Sequence, residues 1–189
     1  MLTLSTNMQE YFKEGLSSVI RNFSHDFSDE LQSYLVCLLC EFARTERVYA
    51  GINFGEEPIL VLLWERALES PLPEANRIFK QIGDSILYLS GYFGEKTQAS
   101  GVSNNYYVAL GGQAYSQLAQ NTQVAIYEEL SKTFETLIFV LRQLSFAQKG
   151  ISSAEILELI EQYKKSKHPQ LQILLAQHGI FVTDEEPTC

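Results

Sequence analysis

Residues that commonly carry chemistry are scarce in this chain. Its 189 residues include three cysteines, three histidines and one tryptophan, too few cysteines for a disulfide framework. Cys37 and Cys40 spell C-x-x-C, but the motif falls inside "SYLVCLLCEFA" and not at a helix start after a strand. No second C-x-x-C and no H-x-x-x-H completes a zinc set of four ligands. Apolar neighbours raise a thiol's pKa, so both cysteines are expected in the core. His25, His168 and His178 lie far apart, without the Glu-x-x-His pairs of a di-iron bundle. Neither a cysteine–histidine pair nor a nucleophile elbow is present. "GYFGE" and "LGGQAY" lack the strand context and lysine of a phosphate loop. No metal, no cofactor and no catalytic residue is expected.

Positive charge is also short. Fourteen Lys and Arg face twenty-three Asp and Glu, a net charge of −9 with a pI near 4.8. Such a chain repels phosphate backbones. The C-terminal "EQYKKSKHPQLQILLAQHG" has the outline of a helix-turn-helix, with Lys164, Lys165, Lys167 and His168 at its turn. Its second helix, "QLQILLAQ", carries no Arg or Lys to reach bases or phosphates. Nucleic acid is not an expected partner. No apolar run approaches the roughly 18 residues a membrane span needs, so no membrane insertion is expected. The longest run, "PILVLLW" at 58–64, suits a buried helix. The opening "MLTLSTNMQEYF" has no basic stretch followed by an apolar one. The expected location is the cytoplasm.

What is abundant is helical periodicity, and strand alternation is nearly absent. A first helix is expected over 6–22, with Met8, Tyr11, Phe12 and Val19 apolar. Ser28 should cap a second, "DELQSYLVCLLCEFART", whose Leu31, Tyr34, Leu35, Leu38 and Phe42 share a face. "RTERVY" at 44–49 reads as a solvated end, and 46–57 as a loop with Gly51 and Gly55. Pro58 opens a helix that Pro71 and Pro73 end. Helices follow over 74–93 and about 104–120, flanking "GEKTQASGVS" at 94–103. A long helix is expected over 122–147, its seam Tyr127, Leu130, Phe134, Leu137, Leu141 and Leu144 at the bundle centre. Ser152 and Glu155 form a capping box before a helix at 153–165. A last helix at 169–178 stops at Gly179. The fold class is all-α: a single-domain bundle of about eight helices over 1–182, ending in a helical hairpin and an acidic tail at 183–189.

Two stretches stand out. "GDSILYLSGYFGE" at 83–95 and "NNYYVALGGQAYSQLA" at 104–119 place glycines among tyrosines inside helices. Each interior glycine costs roughly 1 kcal/mol relative to alanine, and close approach of another helix is the usual compensation. Gly91 is expected to match Gly111 where these helices cross, with Tyr88, Tyr92, Tyr106, Tyr107 and Tyr115 nearby. Asp84 lies in an apolar stretch; if buried it needs a partner. Lys80 is the local one, while Arg44, Arg47, Arg66 and Arg77 are more distant. In motif order, from "LCEFARTERVY" to "LLAQHGIFV", the chain resembles an uncharacterised family of bacterial all-helical proteins. That resemblance implies a bacterial origin and a helical fold, and no activity.

The leading functional reading is a non-enzymatic helical protein that acts by association, as a homodimer or with a protein partner, through an exposed apolar stripe. The alternative is a bundle that binds a small molecule, with or without enzymatic activity, near Asp84, Tyr88, Tyr92, Tyr106, Tyr107, Gly111 and Tyr115. A crossing filled by side chains favours the first, and an open one lined by hydroxyls the second.

Overall fold

Ser28 sets where the second helix begins. Its Oγ accepts a hydrogen bond from the Leu31 N–H at 3.0 Å, the geometry of a side-chain N-cap. The Ser28 N–H and hydroxyl in turn donate to the two carboxylate oxygens of Glu129, at 3.1 and 2.6 Å. That carboxylate pins the helix start to a segment 101 residues further along.

The computed structural model describes residues 2–49, 57–92, 104–150, 153–167 and 169–181. Among these residues the chain is all-α, with nine helices and no strand. In chain order they are α1 (Leu2–Asn22), α2 (Asp29–Tyr49), α3 (Glu57–Glu69), α4 (Leu72–Tyr92) and α5 (Asn104–Thr122). α6 (Ala125–Lys132), α7 (Phe134–Lys149), α8 (Ser153–Ser166) and α9 (Pro169–Gln177) follow. The helices gather into two compact units, residues 1–148 and 149–189. The connection at 94–103, Gly51, Gly55, Ser152 of the capping box and the tail at 183–189 lie outside the described residues.

In the first unit α4 is the central helix. Every residue from Ile82 to Tyr88 is buried, as in a helix enclosed on all sides. Leu31, Leu35 and Leu39 of α2 share this core with Leu118 of α5, Leu130 of α6 and Leu137, Leu141 and Leu144 of α7. In the second unit α8 buries Leu159 and Tyr163, and α9 buries Leu174 and Leu175. Gly179, at φ +77°, ends this hairpin, a conformation glycine takes without strain.

Several boundaries differ from expectation. The long helix over 122–147 is two helices, broken at Thr133. The Thr133 backbone has φ −103° and ψ 9°, and its Oγ1 donates to the Glu129 carbonyl at 2.7 Å. This back-bonding competes with the regular ladder and bends helices. The seam from Leu130 to Leu144 nevertheless stays buried across the break. α2 continues through Tyr49 where a loop was expected from 46. α4 begins at Leu72, so Pro73 sits in its first turn, where a missing N–H leaves no bond unmade.

Four side chains also face the other way. Tyr11 is exposed, and so are Val61 and Leu62 of the helix expected to be buried. Cys40 is buried but Cys37 is exposed. Cys37 shares the wet arc of α2 with Ser33 and Glu41.

Candidate functional site

Asp84 is a buried carboxylate on the central helix. The Tyr34 hydroxyl of α2 and the Tyr115 hydroxyl of α5 both donate to its Oδ1, at 2.5 and 2.6 Å. Lys80, one turn earlier on α4, donates to Oδ2 at 2.5 Å. Three helices thus direct donors at one acid, the satisfaction a buried carboxylate requires. The Lys80 ammonium also lies 5.2 Å from the centre of the Tyr34 ring, within cation–π range.

Gly83 makes this arrangement possible. The flat face of Tyr115 lies on α4 so closely that a Cβ at position 83 would come within 2.9 Å of the ring's Cζ. Tyr115 is then walled by Phe134 at 5.8 Å between ring centroids and by Tyr127, stacked at 6.4 Å.

The ionisation of these groups follows from their surroundings. Burial raises both phenols well above the ordinary tyrosine value, and the nearby Asp84 carboxylate raises them further. Both remain hydrogen-bond donors. Burial pulls the Lys80 ammonium down, but Asp84, aided by its hydrogen bond and by Tyr127 and Glu41, raises it on balance. The group is therefore a fixed cation with fixed phenols.

One side of this cluster opens to a cleft of about 160 Å³ between α2 and α4. Glu41 and Phe42 form its α2 wall; Arg77, Lys80, Gln81, Asp84 and Ser85 form its α4 wall. Ser85 Oγ is buried with no hydrogen-bond partner among the described residues.

The expected site residues disperse from here. Asp84 and Tyr115 come together. Tyr88 stacks between Phe42 and Tyr92, and the Tyr92 hydroxyl donates to Gln148 Oε1 at 2.6 Å. Tyr107 is buried while Tyr106 is exposed. Gly111 does not pair with Gly91: a Cβ at 111 would overlap the Phe134 ring, and one at 91 would meet Leu141 Cβ at 2.7 Å. The crossing is filled by side chains, and the open space lies on the other side of Asp84. Lys80 pairs with Asp84, while Arg66 and Arg77 bind Glu74; the side chains of Arg44 and Arg47 lie outside the described residues.

Sequence reasoning missed Tyr34, Gln81 and Ser85. A lone phenol inside the aliphatic stripe Leu31, Leu35, Leu38 was the available signal for Tyr34. Ser85 reads from its spacing only as widening the apolar stripe of the helix at 74–93, and nothing marked Gln81.

Among the described residues no group of three or more His, Cys, Asp and Glu could hold a metal ion, and no helix is long and apolar enough to cross a membrane. Comparison with protein-family models, curated proteins and solved structures finds no match to the chain.

Proposed function

We propose that this chain is a helical interaction protein that self-associates through α3. The observation that carries this reading is a set of uncovered apolar side chains. Val61, Leu62 and Leu68 of α3 and Leu72 at the start of α4 are 42, 59, 65 and 62 % exposed. On a helix, positions 61 and 68 fall on one line, and 62 lies about 100° round from it, with the exposed Glu65 and Glu69 between. Four such side chains exposed within twelve residues support an interaction surface there.

A second copy is the occupant that needs nothing beyond this chain, since an apolar patch is complementary to itself about a twofold axis. Glu65 and Glu69 are exposed on the same helix, and each copy carries −9. Charge therefore opposes dimer formation, and salt screens it. The test is mass by light scattering at 50 and 300 mM salt. A dimer whose fraction rises with salt, and which Leu68→Glu converts to monomer with helical content intact, is the expected result. A monomer at millimolar concentration in both salts would sink self-association.

A second reading, small-molecule binding, is favoured by the partnerless Ser85 hydroxyl at the cleft beside Asp84. Buried polar atoms are nearly always bonded to protein or to something else.

A further inference from the structure

The chemistry of the α2–α4 cleft limits what it could hold. Asp84 has three donors on its two oxygens, so its acceptor capacity is largely used. The unused capacity belongs to donors. Ser85 is 1 % exposed and its hydroxyl has no partner among the described residues. Lys80 has three N–H groups, of which one goes to Asp84. Arg77, which lines the cleft, directs Nε and one terminal nitrogen at Glu74, so its other terminal nitrogen takes no part in that pair. An occupant that complements these groups brings acceptor oxygens.

Charge and size narrow the class. The cations Arg77 and Lys80 share the space with Glu41 and Asp84, and Arg77 is also paired with Glu74. Any anion there meets the carboxylates as well as the two cations, so a single negative charge is opposed less than a dianion such as phosphate. The volume, about 160 Å³, is roughly half the lower limit for drug-sized ligands. The ring of Phe42 supplies an apolar wall.

We propose that the cleft between α2 and α4 binds a small organic monocarboxylate, its oxygens on Lys80, Arg77 and the Ser85 hydroxyl and its apolar part against Phe42. This assignment rests on the small-molecule reading of the same cleft and names its ligand class.

The test is calorimetric titration of the full chain with sodium benzoate, benzamide and benzylamine, which share a ring and differ in charge. Benzoate alone should saturate. Ser85→Ala should weaken it about tenfold, the loss of one hydrogen bond to a charged group. The melting temperature should hold or rise in that variant, because a partnerless buried hydroxyl has been removed. Arg77→Gln, at an exposed position, should weaken benzoate as well. Saturation by benzamide or benzylamine at equal affinity would overturn the monocarboxylate assignment while leaving a ligand cleft in place. Benzoate binding untouched by both variants would place the site elsewhere and overturn the proposal. No saturation by any of the three would remove the proposal and the small-molecule reading together.

Discussion

At Asp84 a single acid is held by donors from three helices, and the smallest residue beside it decides whether they fit. Tyr115 reaches Oδ1 only because its ring can lie against bare backbone at Gly83. Gly83→Ala gains about 1 kcal/mol of helix propensity but puts a methyl group into a fully buried ring that has nowhere to move. A net loss of about 1 to 2 kcal/mol is expected, read by thermal or urea unfolding. A raised melting temperature would show that the ring yields and that its bond to Asp84 contributes little. Part of this was legible from residues alone. An aspartate in an apolar helix demands a partner, and Lys80 four positions earlier was the nearest. The reach of Tyr34 from α2 was not legible, because it depends on how two helices are placed and not on spacing within either one. The glycines illustrate the same boundary. That they accommodate close packing could be argued from propensity, but that Gly111 faces a phenylalanine ring and Gly91 a leucine depends on rotation about the helix axes.

Helix existence was legible almost everywhere; helix ends and faces were less so. Apolar periodicity carries straight through Thr133, so the sequence between 122 and 147 reads as one rod. The break comes from a side-chain hydroxyl competing for a backbone carbonyl, which periodicity does not record. α3 is a second case. Its apolar run suggests burial all round, yet among its described side chains only Leu60 and Ala67 are buried; the run is long enough to cover two faces, and the first unit covers one. The cap of α2 was recognisable at Ser28, but its second tie, to Glu129, was not. Ser28→Ala removes the acceptor for the Leu31 N–H and one donor to Glu129. The expected cost is about 1 to 2 kcal/mol, the upper part of the range for an N-cap. Amide exchange localises the effect: the first turn of α2 should lose protection before its remainder. Uniform loss along α2 would contradict a capping role.

Across the whole molecule the buried phenols and Lys80 link folding to pH. The folded pKa values of Tyr34, Tyr115 and Lys80 all lie above their ordinary values of 10.0, 10.0 and 10.5. Above pH 10 the unfolded chain therefore releases protons that the folded chain keeps. The slope of stability against pH is negative there. These three groups contribute fully below pH 10, and their contribution falls as pH rises through the alkaline range. Urea unfolding at pH 8, 10 and 11.5 should show a decline between the last two points, smaller in Tyr115→Phe. A flat profile through pH 11.5 would mean that the phenols ionise in the folded protein as readily as in water.

The carboxylate of Glu129 on Ser28 has a consequence in time. A ribosome adding about 5 to 20 residues each second makes Ser28 well before Glu129, 101 residues later. From Tyr49, the end of α2, to Glu129 is 80 residues, so for roughly 4 to 16 seconds the growing chain has all of α2 but lacks the acid that fastens its beginning. A nascent chain truncated before residue 129 should leave the first turn of α2 open to protease, and one extended far enough to free α6 from the exit tunnel should close it. Birth order thus leaves an early-made core helix to be secured by one of the later ones.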